Sequence, residues 1–182
     1  MRRRNSPGGV DQRRTAADPD SGAYARLAQS PAVSTNGNRF LDVDMSLPDA
    51  IAALIRDEQA RQQGRFVEGV DVETYLARLG ERAELLSVAD GPRCRGFVAY
   101  YANDYASKQA FITLVLVAPE DRGLGLGRSL VTCVLDIVKR RGFTSCRLEV
   151  ATANTTAQAM YGQLGFHTVE HRAGKDLLEI KL

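Results

Sequence analysis

Glycines at alternate positions in Arg122-Gly123-Leu124-Gly125-Leu126-Gly127-Arg128 offer a bare backbone to an anion. Apolar residues return at helical spacing just beyond, at Leu130, Val134 and Ile137, so this turn feeds a helix. The first amides of a helix have no intrahelical acceptor. Aimed outward from a glycine turn, at the positive end of the helix dipole, they form a cradle suited above all to phosphate. No Gly-Lys-Ser/Thr follows the glycines, which excludes the P-loop pattern. The dinucleotide pattern fails as well. Counted from Gly123 and Gly125, its third glycine falls at Arg128, and Gly127 stands one residue early.

A second group of polar residues follows. Glu149 alternates with the apolar Leu148 and Val150, so on a strand it faces the other side. Asn154 is placed to cap the next helix, and Tyr161, seven residues on, projects toward the same face. A phenol keeps its proton at neutral pH yet can donate it, and a carboxylate can take one from an ammonium group. His167 and His171 fall in the last hairpin and read as structural.

These residues need elements to hold them. The run FITLVLV before the glycine turn is a strand buried on both faces, ended by Pro119. Residues 144–150 form the next strand, residues 154–164 a helix stopped by Gly165, and residues 166–171 and 177–182 a hairpin around Gly174. Upstream, residues 84–89 and 95–101 pair around Asp90-Gly91-Pro92. One amphipathic helix starts at a Ser46 cap with Pro48 in its first turn and carries Ala50, Ile51, Leu54 and Ile55. Another follows an Asp71 cap, with Tyr75, Leu76 and Leu79 facing inward. A short strand at residues 39–43 opens the folded part. The resulting order is β-α-α-β-β-β-α-β-α-β-β.

The 182 residues, 44% hydrophobic and 25% charged, suit one soluble domain with a sizeable core. Residues 1–39 carry seven Arg and three Asp, a net +4, while the rest carries 17 basic and 19 acidic residues, a net −2. The body therefore has no basic surplus, and no nucleic-acid partner is expected. No apolar run reaches transmembrane length, so no membrane partner is expected either. Residues 1–38, rich in Arg, Ser, Pro, Gly and Asp, read as a disordered tail ahead of a domain at residues 39–182. Cys94, Cys133 and Cys146 sit in apolar patterns with no metal spacing, as reduced thiols of a cytoplasmic protein do.

The glycine stretch, R-x-x-G-x-G preceded by a strand and Val117-Ala118-Pro119-Glu120, resembles the pyrophosphate loop of the GNAT superfamily of acyl-CoA-dependent N-acetyltransferases. Leu148-Glu149-Val150, Asn154, Ala157, Tyr161 and Leu164-Gly165-Phe166 resemble that superfamily's second acyl-CoA motif, and the element order is also a GNAT order. The resemblance implies an α/β fold with a mixed central sheet splayed between two central strands and helices on both faces. It implies acetyl-CoA as cosubstrate, no metal, and direct transfer of the acetyl group to a primary amine. Backbone amides of Gly123, Leu124, Gly125, Leu126, Gly127 and Arg128 would hold the pyrophosphate with Arg122 nearby. Main-chain groups of Leu116 and Val117 would hold the pantetheine and thioester, Asn154 would bond the pantetheine, and Tyr161 would protonate the departing thiolate.

Many relatives place a Glu base where this chain has Thr113, so that role does not carry over. Glu149 is the candidate base, twelve residues before Tyr161 as in the branch that acetylates ribosomal-protein N-termini. Tyr100, Tyr101 and Asp104 are further candidates. The fragment YYANDYASKQAFI resembles polysaccharide-cluster acetyltransferases, which favours a small-molecule amine such as an amino sugar. A protein N-terminus as acceptor, and an acyl-CoA-binding domain without turnover, are the alternatives. The enzyme is expected to act as a monomer or homodimer.

Overall fold

The computed structural model describes residues 33–35 and 47–182. The expected strand at residues 39–43 and the Ser46 cap lie outside the described residues. The helices are α1 (Asp49–Arg61), α2 (Val72–Arg82), α3 (Leu126–Arg140) and α4 (Thr155–Gln163). The strands are β1 (Val33–Thr35), β2 (Glu84–Asp90), β3 (Arg93–Tyr101), β4 (Gln109–Val117), β5 (Ser145–Ala151), β6 (His167–Arg172) and β7 (Lys175–Lys181). β1 lies within the stretch assigned above to the tail and pairs antiparallel with β2, whose edge would otherwise present unpaired backbone groups.

Local chemistry sets the helix starts. Asp71 accepts from the Thr74 amide at 2.9 Å and opens α2; Asn154 accepts from the Ala157 amide at 3.1 Å and opens α4. Pro48 occupies the N-cap of α1 with no side-chain cap. Gly125, at φ +79°, is the N-cap of α3, a left-handed conformation that a β-carbon resists.

The seven strands form one sheet in the order β1-β2-β3-β4-β5-β7-β6. Every pair is antiparallel except β4 and β5, which α3 joins by a crossover. Two cores flank the sheet. Leu130, Val131, Val134 and Val138 of α3 pack with Val98, Ile112, Cys146 and Leu148 on one face. Ile51, Leu54 and Ile55 of α1 pack with Leu76 and Leu79 of α2, Phe97, Ala99 and Leu116 on the other. Phe97 and Leu130 are each 0% exposed, so truncating either to Ala costs about 2–5 kcal/mol.

Two irregularities of β4 shape everything that follows. Ala99 pairs with Leu114 and Tyr100 with Ile112, leaving Thr113 as the extra residue of a bulge. The bulge reverses the alternation, so Ile112 enters the α3-side core while Leu114 and Leu116 enter the α1-side core. The β4–β5 pairing also stops early. It runs from Gln109↔Ser145 to Ile112↔Leu148, and both strands continue beyond it without pairing to each other. The sheet is open between them.

Candidate active site

The gap between β4 and β5 is walled first by backbone. Ala118 donates to the Arg95 carbonyl at 2.9 Å, so the residues of β4 that bond β3 here are the even-numbered ones. The main-chain groups of Leu116 are spent on β3, and those of Val115 and Val117 face the gap. The expectation named Leu116 and Val117. Val115 was not foreseen, because the strand's hydrogen-bonding phase is not written in its apolar run.

At the head of the gap stands the glycine loop. Pro119–Asp121 forms a single 3-10 turn, Gly123 has φ +75°, and α3 begins at Leu126. Ser129 donates to the Gly125 carbonyl at 3.0 Å, the first bond of the helix. Among the described residues, none of the amides of Gly123, Leu124, Gly125, Leu126, Gly127 and Arg128 makes a close, well-aligned hydrogen bond to another backbone carbonyl. This run of amides is thus open to an anion at a helix N-terminus. Leu124 is 72% exposed at the tip.

Side chains beside the loop are fixed from both flanks. Asp121, 5% exposed, accepts from Arg95 Nε at 2.8 Å and Arg93 Nη1 at 2.9 Å. These guanidiniums, Arg95 foremost, hold its carboxyl below the usual aspartate range. Arg122 donates to the Val117 carbonyl and to Glu58, so its charge is engaged there and not presented along the amides. Arg128 reaches Gln163 at 2.8 Å and ties the start of α3 to the end of α4. At Gly127 an added β-carbon would lie 3.5 Å from Val117 Cγ2 and 3.8 Å from Met160 Sδ, where β4, α3 and α4 converge.

The far wall is β5 and α4. Tyr161 is 7% exposed, edge-on to Phe166 at 5.7 Å between ring centroids, and packed in the α3-side core. Burial pushes its phenol up to about 12, so it holds its proton at neutral pH. Its hydroxyl has no hydrogen-bond partner among the described residues, and no fully buried side-chain polar atom of those residues lacks one. The hydroxyl therefore emerges from the core instead of ending inside it. Asn154 spends its side-chain oxygen on the helix cap and keeps its amide hydrogens available.

Glu149 points to the opposite face of β5 from Leu148 and Val150, where it accepts from Arg172 of β6. Arg172 also holds Glu170 through Nε and Nη2, each at 2.9 Å. This face continues through Phe111, Arg147 and Glu179, with Arg147 Nε 2.6 Å from the Glu179 carboxylate. No sequence signal announced Arg172 as the partner of Glu149.

The other candidates are engaged elsewhere. The Tyr100 hydroxyl donates to Glu84 at 3.2 Å, and Arg141 grips the same carboxylate at 2.7 Å. Asp104 accepts from the Ser107 amide at 3.0 Å and from its hydroxyl at 2.6 Å, closing the turn before β4. Tyr101 stands opposite Phe111 at the paired end of β4. His171 Nδ1 lies 2.8 Å from Asp176, which also accepts from Gln158 of α4. Thr113 is taken up by the bulge. Cys94, Cys133 and Cys146 are buried and free of disulfides, and burial pushes the Cys146 thiol up to about 12. Among the described residues, no helix is long and apolar enough to cross a membrane.

The fold is shared with N-acetyltransferases of known structure. The PaiA N-acetyltransferase of Thermoplasma acidophilum, solved in complex with coenzyme A, superposes with a TM-score of 0.62 over 84% of this chain and 100% of its own, at 15% identity. The ribosomal-protein-S18-alanine N-acetyltransferase of Escherichia coli gives 0.59 over 83% of this chain and 92% of its own, at 21% identity. The sequence model of the acetyltransferase (GNAT) family matches residues 47–166, more than half of the chain, and the protein belongs to that family.

Among curated proteins, the chain is similar to the bS18-alanine N-acetyltransferase of Escherichia coli strain K12, 27% identical over 95 residues. That match covers 52% of this chain and 62% of the relative. A mycothiol acetyltransferase of Thermobispora bispora is 44% identical over 55 residues, 30% of this chain and 19% of the relative. The matches thus span less than two thirds of these relatives' own lengths.

Proposed function

We propose that the protein transfers the acetyl group of acetyl-CoA directly to a primary amine. The observation that carries this reading is the β4–β5 gap, with the open amides of the glycine loop at its head and the Tyr161 hydroxyl at its wall. The amides hold the pyrophosphate, and the gap-facing groups of Val115 and Val117 pair with the pantetheine arm like an added strand. The Asn154 side-chain amide donates to the same arm. The acceptor approaches from the face of Glu149, which takes a proton from its ammonium group. The freed amine attacks the thioester carbonyl carbon, its nitrogen gives up a second proton to solvent, the C–S bond breaks, and Tyr161 gives its proton to the departing thiolate. Solvent then reprotonates the phenolate and takes the proton held by Glu149.

The acceptor is proposed to be a small-molecule amine. The fragment that pointed to an amino sugar owes Asp104, Ser107 and Tyr100 to a turn and a part-exposed ion pair at the closed end of the sheet, so it supports that narrower choice less than its letters do. A second reading, an N-terminal amine of a protein, is favoured by the Glu149 and Tyr161 positions and by the similarity to the ribosomal-protein acetyltransferase. One experiment tests both. The protein is incubated with acetyl-CoA and a panel of amino sugars, small amines and peptides with free N-termini, and released CoA thiol is measured. Turnover with small amines alone supports the first reading, turnover with peptides alone the second. Acetyl-CoA binding without turnover on any amine overturns the catalytic proposal.

A further inference from the structure

Glu58 lies in α1 at 4% exposure, a site where a carboxylate is rare unless paired. Gln62 Nε2 donates to its Oε1 at 2.6 Å, while Arg61 and Arg122 converge on Oε2, Arg122 at 2.9 Å. The same Arg122 guanidinium donates through Nε to the Val117 carbonyl, also at 2.9 Å. One planar group thus bridges a buried carboxylate on a helix and a main-chain oxygen at the mouth of the gap. Such a fork suits arginine and not lysine, which has a single charged nitrogen. Arg122 also immediately precedes the run of open amides.

We infer that Glu58 is a positioning residue for the acyl-CoA cleft, acting through Arg122 to fix the Val117 carbonyl and the entry of the glycine loop. The inference rests on the reading of that cleft as an acyl-CoA site. Asp121 is anchored to β3, the strand already paired with β4, so it holds the loop to its own sheet. The Glu58–Arg122 bridge ties the loop entry by hydrogen bonds to a helix of the opposite layer, beside the apolar packing of Ala118 in the α1-side core. Without the carboxylate, Arg122 loses the anchor that keeps its fork in plane with the carbonyl.

The test compares Glu58→Gln, Arg122→Lys and the double variant. Glu58→Gln keeps an oxygen for Gln62 and releases Arg61 and Arg122, whose side chains are 41% and 43% exposed and remain hydrated. Arg122→Lys keeps the charge on a half-exposed side chain and removes only the fork. Both are expected to raise the KM and the calorimetric Kd for acetyl-CoA roughly tenfold or more, the worth of a charge-assisted hydrogen bond. The kcat and the KM for the amine should stay near the parent's, and the double variant should be no worse than either single one. Additive losses, or kcat and both KM values falling together with the melting temperature, would show a merely structural Glu58. Unchanged acetyl-CoA affinity in folded variants also overturns the inference. If the parent itself does not bind acetyl-CoA, it is the reading of the cleft that fails.

Discussion

Glu149 and Tyr161 lie on opposite faces of β5, the carboxylate beside Arg172 and the phenol in the core under α3 and α4. In a closed sheet these two groups could not serve one reaction. Here β4 and β5 stop pairing after Ile112 and Leu148, and the proposed reaction uses that opening to bring substrates within reach of both faces.

Tyr161→Phe removes a hydroxyl that bonds nothing among the described residues and keeps the ring against Phe166. Folding and acetyl-CoA affinity should hardly change, while kcat falls by roughly 10²–10⁴, the usual worth of a positioned acid. Steady-state kinetics beside a thermal melt separate the two effects. A kcat near the parent's assigns the phenol to packing alone.

Glu149→Gln keeps shape and removes charge. As the base, Glu149 matters most where the acceptor is an ammonium ion, so the deficit should be largest at low pH and shrink as pH approaches the amine's own pKa. Arg172 loses one of its two carboxylate partners but keeps Glu170, so the melting temperature should move little. A pH–rate profile with a constant deficit would remove Glu149 from the chemistry.

Two glycines of the loop should fail for different reasons. Gly125→Val forces a branched residue to φ +79° and should cost about 1–2 kcal/mol of stability. At Gly127 an added β-carbon meets nothing closer than 3.5 Å, so Gly127→Ala should fold like the parent. Its methyl nonetheless stands where Val115, Val117 and Met160 border the gap, and acetyl-CoA affinity should drop. Calorimetry showing parental affinity for Gly127→Ala would argue against a ligand passing there.

Acid should loosen the loop. Arg95 and Arg93 favour the ionised form of Asp121 in the folded chain, so its folded pKa lies below the unfolded value. The resulting stability is present above the ordinary aspartate value of about 3.9 and is lost as pH falls through the lower folded value. In Arg95→Ala the shift shrinks, so between about pH 6 and about pH 3 the melting temperature should fall less steeply than the parent's. Parallel curves would mean that this pair contributes nothing to acid sensitivity.

Removing residues 1–38 takes away β1 and bares the edge of β2. The loss is three residues of ladder with no part in the gap, so acetyl-CoA affinity should stay and the melting temperature should drop by a few degrees at most. A drop of many degrees would place the tail within the folding unit.

The sequence by itself determined what is decided within a few residues along the chain. Asp71 and Asn154 cap helices that their own next turns complete, and Gly125 supplies the left-handed step into α3. The alternation around Glu149 set it apart from Leu148 and Val150. Hydrogen bonds and periodicities of this kind close over three to seven positions, so they are legible in the order of residue types.

Only the tertiary structure decided which groups face the gap and which charges are already spent. Thr113 reads as one more residue of an apolar strand, yet as a bulge it exchanges the faces of every residue after it. Val115 rather than Leu116 turns its backbone to the opening because β3 claims alternate residues of β4. Arg122 is bound by Glu58, 64 positions away, and Glu149 by Arg172, 23 positions away. Such pairings depend on strand register and layer packing, which couple residues distant in the chain, and no local spacing encodes them.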